Sequence, residues 1–134
     1  MALGRITRIP NLNQKFGSHT DYLITKVQAD YSSSAEEYLL FTDHELDVGR
    51  KRGELNPEDY SHYRAGVLTV VQNTNQHFGS ADAYFGVNLI SQGSSERVHY
   101  LFTVEDLEKA RVRAERNPED IEANKTSWFA DLFD

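Results

Sequence analysis

Cysteine is absent from this chain, and tryptophan and methionine occur once each. Without thiols there are no disulfides, no thiolate metal sites and no cysteine nucleophile. That composition suits a reducing compartment, so a cytoplasmic location is expected. Nowhere does an apolar run approach the ~18 residues that a membrane-spanning helix needs. Residues 1–10, MALGRITRIP, also lack the apolar stretch of a secretory leader. Basic residues are in deficit, 14 against 21 acidic, for a net charge of −7 that is spread over both halves. This balance disfavours a protein whose main task is to neutralise phosphates. It suits solubility or a basic partner.

Motifs that carry chemistry are equally scarce. Five histidines are scattered at positions 19, 44, 62, 77 and 99. None forms an HExxH pair, and no EF-hand loop, Walker loop, dinucleotide glycine pattern or GxSxG elbow occurs. No catalytic residue, cofactor site or metal site is therefore assigned, and the chain reads as a non-enzyme.

What the sequence does contain is itself, twice. Residues 40–59 and 101–120 match at a constant shift of 61, with eleven of twenty positions identical, among them Phe41/Phe102, Thr42/Thr103, Arg50/Arg111 and Arg52/Arg113. Upstream the shift is 62: NQKFGS at 13–18 matches NQHFGS at 75–80, and Tyr22 matches Tyr84. The chain reads as a tandem duplication with repeats at about 5–60 and 66–121, followed by a tail at 122–134 with no counterpart. A unit of ~60 residues is marginal as an independent core, so the two are expected to share one in a single pseudo-twofold domain.

Each copy reads as βββα. Short β-branched stretches at 4–9 and 66–72 lead through a polar loop with a Phe-Gly pair, whose glycine suits a positive φ. The next strand, 21–29, places Leu23, Thr25 and Val27 on one face, matching Phe85, Val87 and Leu89. The change of shift from 62 to 61 falls in a serine-rich stretch. A length change is tolerated in a turn but would flip every side chain within a strand, so a hairpin turn is expected there. A third strand at 37–41, or 98–102, runs into a helix opened by Thr42 with Glu45, or Thr103 with Asp106, at capping-box spacing. Leu46, Gly49, Arg50 and Gly53 share one helix face, as do Leu107, Ala110, Arg111 and Ala114. Arg50 and Arg111 are accordingly expected to point inward and find a carboxylate, of Glu54, Glu115 or the Asn-Pro-Glu-Asp segments, or a main-chain carbonyl. Asn-Pro-Glu-Asp at 56–59 and 117–120 stops each helix and starts a short helical turn, at 57–63 and from Pro118. The expected fold is α+β, with about six strands and two main helices.

Two surfaces suggest function. The tail gathers Trp128, Phe129, Leu132 and Phe133, with 128/132 and 129/133 at i,i+4 spacing, and it ends acidic. Such a segment either folds back onto the core or inserts aromatics into a partner's groove. Its tip is similar to the acidic aromatic ends of single-stranded-DNA-binding proteins, which recruit replication enzymes. The second surface is a basic stripe of Lys109, Arg113 and Arg116 with Tyr84 and Phe85 as possible stacking groups for bases. Interleaved glutamates make the same stripe look like an ordinary solvated helix. The leading expectation is a macromolecular interaction protein binding another protein, such as an accessory or inhibitory factor of a phage or mobile element. The alternatives are a single-stranded nucleic-acid binder and sequestration of a small ligand between the repeats.

Overall fold

The computed structural model describes residues 3–10, 21–30, 33–55, 64–72, 83–91 and 94–123. Strands β1 (Arg5–Pro10), β2 (Asp21–Asp30) and β3 (Ser33–Phe41) precede helix α1 (Asp43–Leu55). Strands β4 (Thr69–Gln72), β5 (Ala83–Ser91) and β6 (Arg97–Phe102) precede α2 (Val104–Glu115) and a short α3 (Pro118–Ala123). The α+β class, six strands and two main helices agree with the sequence reading. The expected helical turn at 57–63, the Phe-Gly loops and the tail from 124 onward lie outside the described residues.

All six strands form one mixed sheet. The β2–β3 and β5–β6 hairpins are antiparallel and keep equivalent registers: Leu23 faces Phe41 and Phe85 faces Phe102. A register shift between Gln28 and Asp30 takes up the extra residue of the first hairpin. β1 and β4 pair antiparallel with β2 and β5, and β1 also pairs parallel with β5 at Arg5–Ile90. Their junction is a crossing of two glycines. Gly4 and Gly66 have φ of +81° and +80°, and a Cβ on Gly4 would stand 2.6 Å from the Gly66 nitrogen. Gly4 donates to the Lys26 carbonyl and accepts from Ile90 N–H, both at 2.8 Å, while Gly66 donates to Asn88 and accepts from Gln28 at 2.8 and 2.7 Å. Only glycine combines that φ with that proximity. The sequence reading placed both inside regular strands.

The helices exchange partners. α1 follows β3 but packs chiefly on β6; α2 follows β6 and packs chiefly on β3. The main core therefore draws on both halves: Ile6, Val27, Leu39, Phe41 and Leu46 with Leu68, Val87, Leu89, Tyr100, Phe102 and Ala110. At its centre the rings of Phe41 and Phe102 stack with centroids 4.6 Å apart. Contacts of this kind stabilise by about 0.5–1.5 kcal/mol beyond burial. A second cluster joins Ile9, Tyr22, Ile24 and Leu40 to Ala114 and Ile121, so the face of β2 opposite Val27 is buried at Tyr22 and Ile24.

Candidate interaction surface

The helix starts set the electrostatics of the molecule. In both, threonine and acid cap each other: Glu45 N–H donates to Thr42 Oγ1 at 3.1 Å and Thr42 N–H to Glu45 Oε1 at 3.0 Å. Asp106 and Thr103 do the same at 3.0 and 3.1 Å. Each capping acid also receives an arginine from the other helix. Arg113 donates through both terminal nitrogens to Glu45, with Nη2 to Oε2 at 2.8 Å, and to the Leu40 carbonyl at 3.1 Å. Arg52 donates to Asp106 at 2.8 Å and to the Leu101 carbonyl at 3.4 Å. Their guanidinium carbons stand 5.6 Å from the Tyr22 ring centroid and 5.5 Å from that of Tyr84. This geometry adds cation–π attraction.

Burial alone would raise the Glu45 carboxyl, but hydrogen bonds from Arg113 and Thr42 overcome it and hold the group below the usual range. The same competition lowers Asp106, through Thr103 and Arg52. The carboxylate bond in turn raises Arg113. His99 is pushed down to about 4 by burial, its Nδ1 lying 3.2 Å from Asn88 Oδ1. Acids held this way stay ionised and fully engaged, which suits a brace rather than proton transfer. Among the described residues no three His, Asp or Glu side chains come together as metal ligands would.

Arg50 and Arg111 do not point inward, contrary to the sequence reading. Arg50 lies on the surface with Asp47 at 2.5 Å and Glu54 at 3.6 Å; Arg111 pairs with Glu108 and lies 3.8 Å from Glu115. For Arg50 the reason is the close contact of Gly49 with the Phe102 ring and of Gly53 with the His99 carbonyl, which leaves no room for an arginine along that line. A Cβ on Gly53 would stand 2.2 Å from the His99 carbonyl oxygen. The inward arginines are Arg52 and Arg113. Their identity at the 61-residue shift was a signal available in the sequence, but their partners lie in the opposite half of the chain.

The residues considered for nucleic acid differ in burial and engagement. Arg113 belongs to the brace with Glu45, its side chain 21% exposed. Tyr84 is buried beneath Arg52, and Phe85 is half-buried against the main core. Lys109 and Arg116 remain on the exposed side of α2. Tyr22 and Tyr100 are also buried.

Two cavities lie beside the helices. One of about 390 Å³ is lined by Ile6, Leu23, Leu46, Asp47 and Arg50, with Arg8, Asp43, Ser91 and Tyr100. The other, of about 230 Å³, has the corresponding Leu68, Phe85, Leu107, Glu108 and Arg111. In both, the acid and the arginine already pair with each other. A third depression, of about 720 Å³, runs along the outer side of α2 between Val104 and Val112. Val104 is 64% exposed, comparable to Leu55 of α1 at 61%. The corresponding α1 positions are Asp43 and Lys51, which pair with Arg8 at 3.0 Å and Asp47 at 3.1 Å. The helix as a scaffold thus does not require valine there.

Comparison with known proteins returned nothing: no family model matches the chain, and no curated protein or solved structure is significantly similar.

Proposed function

We propose that this protein is a non-enzymatic interaction module: two βββα copies in pseudo-twofold arrangement form a rigid frame that presents the aromatic tail to a partner protein. The equivalent hairpin registers, glycine crossing and arginine braces support the duplication reading. The observation that carries the functional reading is the burial of Tyr22, Tyr84 and Tyr100 together with the engagement of Arg52 and Arg113. It withdraws the aromatics and arginines otherwise suited to stacking on bases. The two shielded acids whose titration is lowered, Glu45 and Asp106, are likewise held in caps. The frame also gives the tail a fixed point of departure. Asn117 and Ile121 are buried, which anchors α3 at the end of α2 and leaves 124–134 to follow from there. Among the described residues no helix is long and apolar enough to cross a membrane.

The test compares three proteins as baits in a lysate: the full chain, a chain ending at Ala123, and Trp128→Ala/Phe133→Ala. Ending after α3 keeps Ile121 in its cluster. A partner captured by the full chain and lost by both variants supports the reading. Equal capture by all three, or none by any, removes it. A second reading, small-ligand sequestration, draws on the 390 Å³ cavity, which lies within the range of small-molecule sites. A ligand there raises the melting temperature, and Leu46→Trp, which fills the space, abolishes that rise.

A further inference from the structure

The 390 Å³ cavity carries its own comparison within the chain. Each residue that lines it has a counterpart 61 or 62 positions away in the sequence, and four of its polar residues are not repeated there. Arg8, Asp43, Ser91 and Tyr100 stand against Val70, Val104, Ala29 and Leu39. Ala29 and Val104 line the 230 Å³ cavity as Ser91 and Asp43 line the larger one. Apolar residues are therefore compatible with such places in the fold, and the polar set of the larger cavity is an addition to what folding needs.

The mouth of that cavity carries two arginines and two aspartates over a floor of Ile6, Leu23, Leu46 and Tyr100, so its charge is balanced. Its two ion pairs are not equally open to exchange. Asp47 is held by both Arg50 and Lys51, at 2.5 and 3.1 Å, and these bonds keep its carboxyl below the usual range. Arg8 and Asp43 meet at 3.0 Å with side chains 49% and 72% exposed. Exposed pairs of this kind are weakly held and give way to a better partner. A ligand with one charge would part them and compensate only one. A ligand with both charges compensates the two together: its carboxylate accepts from the Arg8 guanidinium and its ammonium donates to Asp43. The floor then receives an apolar group. The smaller cavity lacks this balance, because Glu37 and Glu108 line it with a single arginine, Arg111.

We propose that the 390 Å³ cavity binds a free amino acid with an apolar side chain, its carboxylate on Arg8, its ammonium on Asp43 and its side chain over Ile6, Leu23, Leu46 and Tyr100. This deepens the sequestration reading and rests on it. The full chain is melted at matched ionic strength with four probes. These are leucine, isocaproate (no ammonium), isoamylamine (no carboxylate) and isoamyl alcohol (neither charge). Leucine is expected to raise the melting temperature, with an apparent affinity about tenfold or more above that of either singly charged analogue. Arg8→Val/Asp43→Val, which installs the residues found at 70 and 104, is expected to abolish the response to leucine with the circular dichroism unchanged. The analogue series on the unmodified chain decides the matter even where that variant does not fold. A response to isocaproate, isoamylamine or isoamyl alcohol that equals or exceeds the response to leucine overturns the proposal and leaves small-ligand sequestration standing. An undiminished response to leucine in the folded variant does the same. Silence from all four probes removes the amino-acid proposal, and the sequestration reading then rests on its own Leu46→Trp test.

Discussion

At the scale of single residues, the decisive contacts are two carboxylates that each serve a helix cap and an arginine from the other helix. Glu45 and Arg113 are the better shielded pair, 17% and 21% exposed at the side chain. Removing one partner leaves a partly desolvated charge, so Arg113→Ala is expected to cost about 2 kcal/mol in urea denaturation at neutral pH. Arg113→Lys restores only part of that, since an ammonium cannot form the two parallel bonds to the carboxylate. The effect has a defined pH dependence. The folded Glu45 carboxyl titrates below its unfolded value, so the stability due to the brace is complete above about pH 4.3 and disappears as pH falls through the lowered folded value. The stabilities of the native protein and Arg113→Ala should therefore converge in acid. A constant gap between the two curves would show that Arg113 acts by packing instead.

At the scale of elements, the two helices follow one pattern with different clearances. α1 carries Gly49 and Gly53 where α2 carries Ala110 and Ala114, and the missing methyls let α1 approach β6. Alanine normally favours a helix over glycine by about 1 kcal/mol. At Gly53 that gain is outweighed, because the new Cβ would meet the His99 carbonyl, a backbone atom that cannot turn aside. Gly53→Ala is expected to lower stability by about 1–3 kcal/mol in spite of its better propensity. Ala114→Gly should cost little beyond the propensity term. Thermal melts of the two variants test the difference in clearance, and a stabilised Gly53→Ala would refute it. The helix starts were legible in the sequence, at Thr42/Glu45 and Thr103/Asp106, whereas the one-residue length change falls at a register shift between Gln28 and Asp30, within the paired strands and not in the turn. The direction of Arg50 was not legible. Helical spacing groups it with Gly49 and Gly53, but only the depth of contact decides which side chain on the edge of a face goes in.

At the scale of the whole molecule, the exchange of helices makes each half incomplete. Leu46 and Phe41 are buried together with Tyr100 and Phe102, and Ala110 with Leu39. Residues 1–63 alone therefore lack the surface on which α1 rests, and 64–134 lack that for α2. Each fragment is expected to show little helix by circular dichroism, and an equimolar mixture to regain it. A cooperative melt from either fragment alone would contradict a shared core. The candidate surfaces were read unevenly from the sequence. Lys109 on α2 and Arg116 at its C-cap lie exposed, whereas Arg113 and Tyr84 entered reciprocal braces. A pattern along one element carries no information about which other element covers it.

The sequence by itself determined the order of elements, the caps that open the helices and the α+β class, because each depends on neighbours a few residues away. Tertiary structure alone decided that each helix lies on the other half's strand, that Gly4 and Gly66 cross, and that Arg52 and Arg113 reach the opposite cap acid. These are contacts between groups some fifty to seventy positions apart. Their energies depend on distance and burial, which come into being only when the chain closes on itself.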